Sequence, residues 1–134
     1  MENTLKYLLL TFTLLFVANI KVFAEERAVQ HKVVADITTV DEAKRVFLDT
    51  TEQIRSKTQL NQQTLHDIHF ITYSLEKSVA FYVENLEGKG RQIAKKMAVV
   101  VEHIHINSEN NRKRETKEHL KNYFQLAAAL KTYI

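Results

Sequence analysis

From Leu65 to Gly90 the chain reads LHDIHFITYSLEKSVAFYVENLEGKG. Ile68, Ile71, Leu75, Val79, Tyr82 and Leu86 recur there at steps of three and four, the spacing that lines one face of a helix. The pattern predicts a long second helix that begins near Gln59 and closes at Gly88 in the left-handed position after its last turn. His66, His69 and Tyr73 fall on the flank of that stripe. Ahead of it, Thr39 and Glu42 have the spacing of a capping box, and Ala43, Val46, Phe47, Thr50 and Ile54 give a first helix running to about Lys57. After it, Ile93, Met97, Val100 and Ile104 mark a third helix from Lys89 to Ile106, ended by Asn107 and Ser108. Leu120, Phe124, Ala127, Leu130 and Ile134 mark a fourth. The prediction is an all-α, antiparallel, up-and-down four-helix bundle over 39–134, with a short first helix.

The pattern fails before Thr39. Glu25 to Thr38 has no helical period, and Val33, Val34 and Ile37 are expected to lie extended against the bundle. Residues 1–24 read as a cleaved signal peptide. Lys6 supplies the positive start, Tyr7 to Ile20 the apolar run, and Val22 and Ala24 the small residues before a cut at Glu25. That run is short for a membrane span, although an uncleaved anchor is the alternative. Export to a bacterial periplasm is the expectation.

Composition narrows the chemistry. The 134 residues contain no Pro, no Cys, no Trp and two Gly, which suits helices joined by tight links and leaves no disulfide, thiol nucleophile or thiolate metal site. A net charge of +3 is too mild for the concentrated basic surface of a nucleic-acid binder. With glycine only at 88 and 90 there is no phosphate-cradling loop. Ser74 and Ser78 sit on a helix with no nucleophile elbow. No enzyme is expected.

Histidine carries the remaining signal. If the chain reverses near Gly88, His69 and His105 fall at one level of the hairpin and, at about 100° per residue, on the same flank. Tyr73 is then level with Glu102, and His66 with Glu109. One reading is a metal set of His69, His105, His66, Glu102 and Glu109 for a divalent transition metal. A second is axial ligation of a haem by His69 and His105. A third is a structural pair that fixes the hairpin register. No Glu-x-x-His motif of the di-iron carboxylate bundles accompanies them, and Glu115 and His119 read as a surface pair.

Basic residues offer another class of function. Lys89, Arg91, Lys95 and Lys96 open the third helix, and Arg112, Lys113, Arg114, Lys117 and Lys121 open the fourth, where they oppose the helix dipole. An anionic membrane surface or an acidic partner is one explanation, and an ordinary solvated face is the other.

The stretches TVDEA at Thr39, LHDIHFITYSLE at Leu65 and HINSE at His105, with Glu26 and Arg27 after the leader, resemble a family of small uncharacterised bacterial periplasmic helical proteins. The resemblance singles out His69, Thr72, Tyr73, Glu76, His105, Ser108 and Glu109. Ile71 and Ser74 stand where that family more usually has Leu and Thr, and the basic run Arg112 to Arg114 is a larger departure. In size, leader and topology the chain is also similar to cytochrome b562-type bundles. Their Met and His haem ligands find no Met in the first helix and only His119 in the fourth. The expected function is that of a non-enzymatic periplasmic accessory or interaction protein, with metal or haem binding and membrane or partner docking as alternatives.

Overall fold

The computed structural model describes residues 33–134. The leader, its cleavage site and most of the expected extended segment lie outside the described residues. Four helices follow in order: α1 (Val40–Arg55), α2 (Gln62–Asn85), α3 (Gly88–Glu109) and α4 (Lys113–Leu130). Among the described residues there is no strand. No helix among them is long and apolar enough to cross a membrane.

Each helix packs antiparallel on the next. Ser78 Oγ of α2 donates to the Ala43 carbonyl of α1 at 2.9 Å, and Lys57 Nζ reaches Asp67 at the other end at 2.8 Å. Between α3 and α4, the His103 and His119 rings meet at 4.7 Å, and Gly90 lies against Tyr133. Side chains link α1 to α4: Thr51 Oγ1 and Tyr123 Oη are 2.5 Å apart, the Arg55 guanidinium sits 4.6 Å from the Phe124 centroid, and Lys44 Nζ donates to the Ile134 carbonyl. The core is built on Phe47, Ile54, Ile68, Leu75, Val79, Tyr82, Met97, Val101, Ile104, Tyr123 and Leu130.

The helix ends follow from local chemistry. Thr39 caps α1 by accepting from the Glu42 amide, and Asn61, rather than a residue near Gln59, caps α2 through the Thr64 amide. The first helix stops at Arg55, short of Lys57. Gly88 has a left-handed φ of 53°, but it opens α3 instead of closing α2. Leu86 and Glu87 are extended, and Arg91 folds back with Nε on the Val83 carbonyl at 2.7 Å, covering the end of α2. One of the basic residues at the start of the third helix is thereby absorbed into structure.

The third helix runs past Asn107 and Ser108, which are buried inside it. Their side chains bond the carbonyls of His103 and His105, so neither is a terminator. The stop comes at Asn111, with φ of 54°. The Arg112 amide reaches the Asn107 carbonyl at 2.8 Å and the Asn111 amide the Ser108 carbonyl at 3.2 Å, the paired bonds of a Schellman ending.

The buried faces are broader than the apolar stripes, and in places turned by one position. On α2 the core face takes in His69 and Thr72, while Ile71 and Leu86 are half-buried; on α4 Tyr123 goes inward and Phe124 is half-buried. On α3 Ala94 and Val101 are buried, whereas Ile93 and Val100 are half-buried. Ahead of α1, Ile37 packs on the core and Asp36 pairs with Lys77, whereas Val33 is 96% exposed and not laid against the bundle as expected.

Tyr82 is one of two exceptions to a satisfied core among the described residues. Its ring packs edge-on to Phe47, but its buried hydroxyl has no partner, and burial pushes its pKa up to about 12. An unpaired buried hydroxyl destabilises the fold by about 1–3 kcal/mol. Tyr82→Phe keeps the ring and removes the orphan. Its expected effect is a gain of about 1 kcal/mol, read as a rise in Tm of roughly 4–8 °C. A fall in Tm would mean that the hydroxyl is bonded in solution.

Candidate metal centre

The site forms where α2 and α3 face each other, about two turns from the end of the bundle that carries the α3–α4 link. His69 turns into the core face of α2 and is 2% exposed. Facing it, His105 is half-buried on α3, and the two rings meet edge to face with centroids 4.6 Å apart. Glu109 stands one turn beyond His105. Its carboxylate and one nitrogen from each imidazole lie within 4.8 Å of one another.

Around this set the hydrogen bonds fix the rings. Thr72 Oγ1 donates to the His69 carbonyl at 2.5 Å, so toward His105 Nδ1, 3.1 Å away, it offers only a lone pair. Glu76 Oε1 lies 2.7 Å from the same nitrogen. Two acceptors converging on Nδ1 require the proton there, which leaves Nε2 as the His105 nitrogen turned to a metal. Ser108 Oγ ties back to the His105 carbonyl at 3.0 Å. On the other side Tyr73 Oη is 3.3 Å from His69 Nε2, and its ring packs on both imidazoles at 5.1 and 4.8 Å. His69 Nδ1 is buried without any hydrogen-bond partner.

Electrostatics match this geometry. Burial, followed by the neighbouring His105, lowers the His69 pKa below 6.5; the nearby Glu109 charge and the His105 carbonyl oppose that shift without reversing it. Burial raises the Glu76 pKa above 4.5, against the pull of His105. The stability consequence has opposite signs for the two groups. Depressed in the fold, His69 supports full stability above pH 6.5, and that support is lost as pH falls toward its folded pKa. Glu76, raised in the fold, costs stability as pH climbs from 4.5 through its folded value. In metal-free protein, urea midpoints measured downward from about pH 7.5 are therefore expected to start falling near pH 6.5, and His69→Gln is expected to flatten that limb. An unchanged limb in the variant would assign the fall to other groups.

Every residue singled out by the family resemblance lies in this cluster: His69, Thr72, Tyr73, Glu76, His105, Ser108 and Glu109. Two of the metal candidates from helical geometry do not join it. His66 is exposed and stacks on Phe70 at 4.7 Å, because the turn of α2 that buries His69 carries His66 outward. Glu102 is exposed too, and reaches the site only through the charge it presents to Glu76. Haem does not fit between the histidines: rings in edge contact, with Tyr73 packed on both, leave no slot for a macrocycle. Glu76 as the partner of His105 was not legible from helical levels alone; its spacing of three and four residues from Tyr73 and Thr72 was the available signal.

Fold and site together define a small all-helical bundle with a partly buried imidazole–imidazole–carboxylate cluster between its two longest helices. The chain belongs to DUF6746, a family of unknown function whose model matches residues 1–132. No curated protein matches the chain and no solved structure does.

Proposed function

We propose that this protein is a non-catalytic, exported helical-bundle protein that binds a divalent transition metal through His69, His105 and Glu109. The observation that carries the reading is the buried, partnerless Nδ1 of His69 in a three-donor cluster. A polar atom in that position destabilises the protein by about 1–3 kcal/mol unless something binds it. Two imidazoles and a carboxylate suit zinc, nickel, cobalt, copper or iron better than calcium or magnesium, which prefer all-oxygen sites. Glu76 then has the role of the outer carboxylate that orients a ligating imidazole, with Tyr73 as its counterpart at His69.

Export rests on the leader pattern of residues 1–24. The non-catalytic assignment rests on the sequence, which offers no phosphate-cradling loop and no nucleophile elbow. A protein of this kind holds or hands over metal in the periplasm, or uses it to stabilise an interaction with another periplasmic protein.

The test uses untagged protein purified without chelator. Elemental analysis is expected to find near-stoichiometric zinc, nickel, copper or iron, and added Co(II) is expected to give the visible d–d bands of nitrogen and oxygen ligation. Protein that is metal-free and takes up none of these ions sinks the reading. Glu76→Gln is expected to weaken metal affinity by about 10–100-fold while leaving the donor set in place. Unchanged affinity would make Glu76 a purely structural partner of His105.

A further inference from the structure

A second site, sharing no residue with the histidine cluster, lies at the junction of α1, the α1–α2 link and α4. A cleft of about 530 Å³ opens there. Its floor is apolar: Ile54 and Leu120 are buried, and Leu60 and Phe124 are half-buried with their remaining surface open. Its rim is cationic, with Arg55, Lys57, Lys113, Lys117 and Lys121, and no carboxylate belongs to the lining.

These cations differ in how they are engaged. Lys57 is paired with Asp67 at 2.8 Å. Arg55 lies over the Phe124 ring and reaches Glu52 only at 3.7 Å. None of the ion pairs among the described residues includes Lys113, Lys117 or Lys121. The three lysines repeat every fourth residue, so they form one row along the first half of α4. Like charges at that spacing repel by about 0.2–0.5 kcal/mol per pair, and cations near a helix N-terminus also oppose its dipole. Neither arrangement is a device for helix stability, and Arg112 supplies α4 with no capping side-chain bond.

The apolar floor and the row of Lys113, Lys117 and Lys121, which enter none of these ion pairs, together define the ligand. A free inorganic anion would satisfy the lysines and leave the floor wet, while a neutral apolar molecule would leave the lysines unanswered. The volume falls within the roughly 300–1,000 Å³ of small-molecule sites, and a concave site favours a single inserted molecule over a flat surface. We infer that this cleft binds a single-chain anionic amphiphile, an alkyl chain with a carboxylate or phosphate head, with the head on the lysine row and the chain over Leu60, Leu120 and Phe124.

The experiment is titration of the metal-free, mature-length protein with dodecanoate and with dodecyl phosphate below their micelle concentrations, followed by calorimetry and amide NMR. Saturable binding with shifts centred on Leu60, Lys117 and Phe124 is expected for at least one head group, and comparison of the two identifies which. Lys117→Gln/Lys121→Gln, both at exposed positions, is expected to weaken binding at least 10-fold; Lys95→Gln/Lys96→Gln on α3 is expected to leave it unchanged. Binding of inorganic phosphate as tight as that of dodecyl phosphate would overturn the proposal, as would equal binding of a neutral dodecyl glycoside. Binding only to vesicles of anionic phospholipid, with no response to the monomers, would replace the cleft with a membrane-docking face. Failure of the metal reading does not affect these outcomes, since no residue is shared between the two sites.

Discussion

Replacing His69 and His105 together with Gln is expected to abolish metal binding while leaving a folded bundle. Both histidines contribute donors, and with Glu109 alone remaining, affinity is expected to fall by more than about 100-fold. Glutamine keeps a polar, hydrogen-bonding side chain of similar length, so Thr72 and Glu76 retain a partner and the helix pair keeps its packing. The clearest readout is linkage. In the parent protein, zinc at about 100 times its Kd is expected to raise stability by about 2.7 kcal/mol, and the double variant is expected to show no shift. If the variant still responds to zinc, the metal sits elsewhere. If neither protein responds, the histidines are structural.

Phe47→Ala is expected to be the most destabilising single substitution in α1. Phe47 is fully buried and packs edge-on to Tyr82, with ring centroids 6.0 Å apart. Deleting a buried phenylalanine to alanine destabilises by about 3–5 kcal/mol, the lost transfer free energy plus the cavity left behind. Total stability of a domain this size is about 5–15 kcal/mol, so the variant is expected to be marginal. Urea denaturation measures the loss directly; a change below about 1 kcal/mol would mean that the α1–α2 contact is looser than the packing indicates. Because no metal donor lies on α1, zinc is expected to recover part of the lost stability in this variant.

Much of this could be read from the residues before any coordinates. The N-cap at Thr39, the helix count and the levelling of His69 with His105 all follow from spacing, since helical geometry fixes which positions of a hairpin face each other. The faces were harder because several buried positions are hydroxyl residues. Thr50 donates to the Val46 carbonyl, Thr51 to Phe47, Thr72 to His69 and Thr116 to Arg112, so each is satisfied by its own helix and can be buried although polar. A hydrophobic stripe cannot display such residues, and it therefore missed Thr72 and the inward turn of His69. Asn107 and Ser108 misled for the same reason: side chains that usually end helices here bond back within one. Tyr123 was passed over for Phe124 because the Thr51 hydroxyl that receives it belongs to a helix far away in sequence.

The α2–α3 link has a consequence for how the protein reaches its native state. All three candidate donors and their orienting partners lie on consecutive helices joined only by Leu86 and Glu87, so little loop-closure entropy separates them once the hairpin forms. An ion held there would clasp α2 to α3 without any contribution from α1 or α4, tying the metal to the hairpin as well as to the finished bundle.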